Sequence, residues 1–281
     1  MSVTNFPIKK FNMKQISFKP GESSGPVIVL IGRRNTGKSF LIRDILYHHQ
    51  DIPLGTVISG SEDADPFYQT MIPRVCIHFD YDSSIIGQHL KRQKAVLKVI
   101  HKQIEQYGRT NIDGRTFCIL DDCLHASANW KRDPLMRNLF MNGRHWKIML
   151  IIAMQYSLGI GPNLRTNIDY TFILREGYKS NRKRIWENYA SMFPTFESFN
   201  QVMDQCTEDW ECLVVYNNSK SNKLSDQIFY YKAEKHDDFK LCAKQVWDDP
   251  RNHYSSDEEE DEFDMNTVLS KGQRINVKKQ W

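Results

Sequence analysis

An α/β fold with a mainly parallel sheet and helices on both faces follows from three features of this 281-residue sequence. Short apolar runs alternate with segments of helical periodicity. The apolar run Val27 to Gly32 (VIVLIG) leads through a glycine-containing loop into a helix-patterned segment. Two later apolar runs end on polar residues, Asp121-Asp122 and Gln155, where a parallel sheet presents its strand ends.

The elements follow in chain order. Residues 1–25, closing in the turn-rich PGESSGP, read as an N-terminal arm. After the strand at 27–32, Ser39 to His49 has helical spacing at Leu41, Ile45 and His48. Strands are expected at Thr56 to Ser59 and Val75 to Phe79. A long helix is expected over about Ser84 to Tyr107, with Ile86, Leu90, Leu97, Ile100, Ile104 and Tyr107 on its apolar face. Its other face carries Lys91, Arg92, Lys94, Lys98 and Lys102, and Gly108 supplies a stop. Buried-type strands follow at Thr116 to Leu120, Ile148 to Ala153 and Tyr170 to Leu174. Two helical segments, about 181–191 and 196–206, precede late strands at Cys212 to Tyr216 and Gln227 to Lys232, expected to be antiparallel. The main domain is thus expected over 26–247, and a disordered tail over 248–281.

Hydrophobic content of 40% with 12% aromatics is enough for a sizeable core in one medium domain. No apolar run of about 18 residues exists, so membrane insertion is not expected. The N-terminus lacks the apolar core of a secretory leader. Six scattered cysteines (Cys76, Cys118, Cys123, Cys206, Cys212 and Cys242) form no CxxC pair and read as reduced thiols. The net charge of +4 is uneven: Asp257 to Asp264 holds seven acids and the last eleven residues hold four bases. Residues 1–256 are therefore mildly basic, which is compatible with a polyanionic partner.

Gly32 to Ser39, GRRNTGKS, matches the phosphate-binding loop G-x-x-x-x-G-K-[ST] between a strand and a helix. Glycines let backbone N–H groups turn toward phosphate oxygens, and the following helix offers its positive end to the same anion. Gly32, Arg33, Arg34, Asn35, Thr36, Gly37, Lys38, Ser39 and Phe40 are the expected nucleotide contacts. Lys38 is expected to reach the β- and γ-phosphates of ATP, and the Ser39 hydroxyl to ligate Mg²⁺. Asp121, at the end of TFCIL, is placed to hold the same Mg²⁺ through water. Asp122 is placed to orient or deprotonate the attacking water, or to stand behind it as a support. Gln155 is placed to sense the γ-phosphate or hold water. Arg144, in NGRHWK, is a candidate arginine finger acting on a neighbouring subunit, with Arg165 in PNLRTN as its competitor; each could equally form a local salt bridge.

Taken together, VIVLIGRRNTGKS, FCILDDCL, NGRHWKIMLIIAMQY, GPNLRTNIDYTFILRE and YASMFPTFESFNQVMDQCTEDWECLVVYN resemble the genome-packaging ATPases of nucleocytoplasmic large DNA viruses, within the FtsK–HerA superfamily. The resemblance covers roughly residues 26–235. It implies a RecA-like P-loop core of the ASCE class, and a homo-oligomeric ring that hydrolyses ATP to thread double-stranded DNA into a preformed capsid. It implies contact with capsid or portal-vertex proteins, in the host-cell cytoplasm and the virion. Lys38, Ser39, Asp121, Asp122 and Gln155 carry over as the motor's site, and Arg144 stands where a finger is expected. Two departures leave roles open: Arg33 and Arg34 replace small residues, and Asp-Asp replaces the more frequent Asp-Glu. Other readings are a helicase-like or recombination ATPase, a small-molecule phosphotransferase, and a nucleotide-dependent scaffold.

A motor that grips DNA without reading its sequence relies on phosphate contacts. Lys131, Arg132 and Arg137 are candidates, with Trp130 beside them; the basic face of the Lys91–Lys102 helix is a second option. The acidic stretch after Ser255 and Ser256 reads as a solubilising segment, or as a mimic of DNA that shields the basic surface.

Overall fold

Every residue of Val27–Ile31 is buried, and the sheet is built outward from this strand. The computed structural model describes residues 7–123, 130–157 and 159–252. In chain order the strands are β1 (Lys9–Lys10), β2 (Val27–Ile31), β3 (Gly55–Ser59), β4 (Ile77–His78), β5 (Thr116–Asp121), β6 (Ile148–Met154), β7 (Tyr170–Ile173), β8 (Glu211–Tyr216) and β9 (Ile228–Lys232). The helices are α1 (Lys38–Tyr47), α2 (Ser83–Tyr107), α3 (Pro134–Asn142), α4 (Pro162–Arg165), α5 (Lys179–Tyr189), α6 (Phe196–Cys206) and α7 (Lys244–Trp247).

The nine strands form one sheet in the order β1-β9-β8-β7-β2-β6-β5-β3-β4. Of the late strands only β8 runs against the rest. It is antiparallel to both β7 and β9, which returns β9 to the common direction, with β1 parallel beside it. The parallel centre explains the continuous apolar runs, since both faces of these strands are covered.

Alternate residues of β2 serve the two faces. Val27, Val29 and Ile31 pack with Ile86 and Leu90 of α2, Leu139 and Phe140 of α3, and Phe199 of α6. Ile28 and Leu30 pack with Leu41, Ile42 and Ile45 of α1. Burying each such side chain contributes roughly 1.5–3 kcal/mol. The arm expected over residues 1–25 is, from residue 7 on, part of this same body. Phe11, Met13, Ile16 and Phe18 lie in the α1-side core, and Phe11 meets Tyr170, Phe172, Phe229 and Tyr231 edge-on.

Other expectations shift for local reasons. The strand expected at Val75 to Phe79 shrinks to β4, because Arg74–Cys76 closes a 3-10 turn onto Pro73. In α2, Asp82 caps the first turn and Gly108 ends the last with φ 70°. Ile104 and Tyr107, expected on the buried face, are 45% and 66% exposed because the last turns extend beyond the core. Arg92, expected on the solvent face, turns inward to His89 and Thr116, leaving Lys91, Lys94, Lys98 and Lys102 exposed. The tail expected from 248 begins as a continuation of the fold. Asn252 accepts a hydrogen bond from Val75 N–H at 3.0 Å and donates one to the Val246 carbonyl at 2.7 Å. The acidic stretch and the basic end lie outside the described residues.

His89 on α2 is buried, with Nδ1 2.8 Å from Thr56 Oγ1. Burial, reinforced by the Arg92 charge, lowers its pKa to about 3. As pH falls through about 6.5, the unfolded chain takes up a proton that the folded one refuses, so stability falls with pH. Between pH 6.5 and 5 this linkage removes roughly 2 kcal/mol. Urea unfolding at both pH values should show wild type losing about that much more than His89→Gln; equal losses would contradict the linkage.

Candidate nucleotide site

The site is assembled at the C-terminal ends of three adjacent central strands, β2, β6 and β5. Parallel pairing sets Ile31 beside Met154 and Asp121 beside Ala153. The phosphate-binding loop, the acidic pair and Gln155 therefore leave the sheet side by side, as a parallel arrangement requires.

The loop closes around a lysine. Lys38 is only 7% exposed, and its Nζ donates to the carbonyls of Gly32 at 2.8 Å and Arg33 at 3.0 Å. Asp122 Oδ2 lies 3.6 Å from the same nitrogen. The Thr36 hydroxyl donates to the Arg33 carbonyl at 2.8 Å, and Gly32 N–H donates to the Met154 carbonyl at 3.1 Å. Two glycines make this path open. Gly37, entering α1, has φ 96°, and a Cβ on Gly32 would sit 2.6 Å from Thr36 Oγ1. Asn35 completes the turn with φ 57°. Arg33, Arg34 and Ser39 are exposed, and the Arg33 guanidinium lies 4.8 Å from the Tyr178 ring centre.

Asp121 is buried and accepts a hydrogen bond from the Tyr68 hydroxyl at 2.9 Å. Burial pushes its carboxyl up to about 6; Tyr68 and Lys38 oppose that rise, and Asp122 adds to it. Asp122 takes the left-handed region, φ 48°, an uncommon conformation for a non-glycine residue and one that occurs at functional turns. Its N–H donates to the Ala153 carbonyl at 3.2 Å, and its Oδ2 accepts from Gln155 Nε2 at 2.8 Å. Lys38, Asp122 and Gln155 thus form one connected polar cluster.

Three further residues belong to the site. Glu62, buried, accepts backbone N–H groups of Phe67, Tyr68 and Gln69 and so holds the turn that aims Tyr68 at Asp121. Asp209 and Trp210, at φ 47° and 68°, throw the indole of Trp210 out over the loop, 3.5 Å from where a Gly37 Cβ would be. Beside it opens a largely apolar cavity of about 370 Å³, lined by Gly37, Phe40, Leu174, Trp210, Lys232 and Ala233. No spacing rule in the sequence announces Glu62, Tyr68 or Trp210. A pair of residues at positive φ just before a strand becomes visible only in three dimensions.

The residues present fit Mg²⁺ with a nucleoside triphosphate. Lys38 and the start of α1 suit phosphate oxygens, Ser39 and Asp121 are hard oxygen donors, and the apolar cavity suits a flat base.

Other expectations are redirected. Arg144, the candidate finger, is engaged within its own chain. It sits at the opposite end of the central strands, before β6, where its Nη2 donates to Asp169 Oδ1 at 2.7 Å and to the Asn167 carbonyl at 3.3 Å. Asp169 in turn accepts from Val27 N–H at 2.7 Å, so Arg144 ties β2, β6 and β7 together at their starts. Arg165 is also engaged within its own chain, donating to the Ile160 carbonyl at 2.9 Å and lying 5.7 Å from the Tyr189 ring centre. Trp130 is buried in the core and cannot reach a DNA groove. Arg132 and Arg137 are exposed around the start of α3, whereas the Lys131 side chain lies outside what is described.

No protein-family model matches the chain. It is 32% identical over 263 residues to an uncharacterized protein of Acanthamoeba polyphaga mimivirus, covering 94% of this chain and 89% of that protein. It is 36% identical over 236 residues to an uncharacterized protein of Invertebrate iridescent virus 3, covering 82% and 86%. Among solved structures, the DNA-packaging ATPase of Sulfolobus turreted icosahedral virus aligns with a TM-score of 0.53 at 16% identity, over 76% of this chain and 100% of that one. The conjugation coupling protein TcpA of pCW3, in its monomer form with ATPγS, aligns with a TM-score of 0.50 at 15% identity, over 83% and 72%. At such identities these two likenesses establish a shared P-loop ATPase fold.

Breaking the Arg144–Asp169 pair leaves a carboxylate that is 6% exposed without its cation. Arg144→Ala should therefore lower the free energy of unfolding by about 3 kcal/mol, with Arg144→Lys recovering part. Chemical denaturation measures this. Unchanged stability together with abolished ATP hydrolysis would contradict the structural role and restore the finger.

Proposed function

We propose that this chain, which belongs to one family with the mimivirus and iridescent virus proteins, is a P-loop ATPase of the FtsK–HerA superfamily that hydrolyses ATP to drive double-stranded viral DNA into a preformed capsid. The observation that carries the reading is the joint convergence of Lys38, Asp121, Asp122 and Gln155 at one end of the central strands. That set supplies what phosphoryl transfer to water requires: cations for phosphate charge, carboxylates for metal, and a base or orienting group for water.

In this reading Lys38 exchanges the carbonyls of Gly32 and Arg33 for the β- and γ-phosphates, while loop N–H groups cradle the same oxygens. Ser39 and Asp121 would hold Mg²⁺, whose charge would offset that developing on the phosphates. Asp122, freed from Lys38, orients or deprotonates the attacking water. Gln155, bonded to Asp122, couples that carboxylate to the end of β6. The apolar cavity beside Trp210 and Phe40 would suit the adenine.

The basic exposed residues Lys91, Lys94, Lys98 and Lys102 of α2, with Arg132 and Arg137, suit duplex phosphates bound without base readout. A homo-oligomeric ring at the capsid vertex, working in the host cytoplasm, is the assembly in which such a motor acts. No helix among the described residues is long and apolar enough to cross a membrane.

The test is ATP hydrolysis with and without duplex DNA, alongside a native mass measurement. Wild type should form a multimer whose ATPase rises with DNA, more strongly at low salt. Asp122→Asn should still bind ATP but turn over about 10²-fold or more slowly, since only water activation is lost. Hydrolysis indifferent to DNA at every salt concentration would contradict the motor and favour a nucleotide-dependent scaffold.

A further inference from the structure

We propose that Asp44, His48 and His236 form a transition-metal site, best suited to Zn²⁺, that clamps α1 to the segment following β9. Asp44 lies on α1 and His48 caps its C-terminus four residues on, on the same side of the helix. His236 reaches them from the far end of the chain. Asp44 Oδ1 lies 2.6 Å from His236 Nε2 and 3.6 Å from His48 Nε2, and the three ligand atoms all fall within 4.8 Å of one another. Tetrahedral zinc with bonds of about 2.0–2.1 Å sets neighbouring ligand atoms roughly 3.3 Å apart, so the cluster needs shifts of only about an ångström.

Charge argues in the same direction. The Asp44 side chain is fully buried (0% exposed), and its ion pairs among the described residues are to these two histidines. A carboxylate withdrawn from water is costly unless it is hydrogen-bonded or paired with a cation, and a divalent metal would supply that positive charge. The nearest arginine in sequence, Arg43, is engaged by Asp238 at 2.9 Å.

The surroundings are those of a supported ligand set. The other carboxylate oxygen of Asp44 accepts from the Tyr231 hydroxyl at 2.6 Å and from Glu234 N–H at 2.9 Å, which fixes the direction of Oδ1. The Tyr47 ring stacks on His236 with centroids 3.7 Å apart and an interplanar angle of 5°. His48, 24% exposed, opens the cluster to solvent and leaves room for water as a fourth ligand. Two imidazoles and one carboxylate favour a borderline metal over Mg²⁺ or Ca²⁺, whose sites are built from oxygen. This cluster lies toward the opposite end of α1 from Lys38, so it is separate from the phosphate site.

The full chain, stripped of metal and kept free of nucleotide, is titrated with Co²⁺ and then Zn²⁺. The expected result is a saturable one-to-one visible Co²⁺ spectrum without thiolate-to-cobalt charge transfer, displaced by Zn²⁺. Zn²⁺ at about 100 times its dissociation constant should raise the melting temperature by roughly 5 °C or more, and chelation should reverse this. His236→Gln and the partly exposed His48→Ala, each checked for native circular dichroism, should bind at least about 100-fold more weakly. The proposal is overturned by absence of saturable binding, by a thiolate charge-transfer band that assigns the metal to cysteines, or by unchanged affinity in folded His48→Ala.

Discussion

A buried ammonium at the entrance to α1 is the constraint on which the site depends. Lys38 cannot leave water without partners, and the loop supplies them by folding its own Gly32 and Arg33 carbonyls back onto Nζ. That wrapping needs a residue free of Cβ at Gly32 and a left-handed entry to the helix at Gly37. The result is a cation held by two backbone carbonyls, which a phosphate can replace. Asp122 completes the arrangement at 3.6 Å, held in place by Gln155.

The parallel sheet makes this possible by bringing distant segments to one end of the central strands. β2, β6 and β5 are neighbours, though more than a hundred residues separate β2 from β6 in sequence. Asp121 arrives there stripped of solvent, with its pKa raised by burial, and braced by Tyr68. A carboxylate so placed is a ready partner for a hard cation. The opposite end carries the structural counterweight: Arg144, Asp169 and the N–H of Val27 lock the starts of the same central strands.

Much of this was legible in sequence because the signals were local. The run VIVLIG followed by GRRNTGKS specifies strand, loop and helix within about twenty residues, and TFCILDD and the strand ending at Gln155 mark the other two ends. What stayed hidden depended on partners far along the chain. The Asp169 partner of Arg144 lies twenty-five residues on, and Trp130 resembles a surface residue until it is found in the core. Trp210 gives no sign that two left-handed residues aim it over Gly37. The spacing of Asp44 and His48 is readable, whereas His236 meets them only through the path of the chain after β9. The apolar period of α2 correctly gives its length, yet it cannot show where the sheet beneath it stops.

The central claim is that the cluster around Lys38 is a nucleoside triphosphate site. Isothermal titration of Mg²⁺–ATPγS into wild type and Lys38→Ala, both confirmed folded, tests it most directly. Removing the ammonium should weaken binding by about 100-fold, the scale of charge-assisted hydrogen bonds to phosphate. Equal affinity of the two proteins would contradict the assignment.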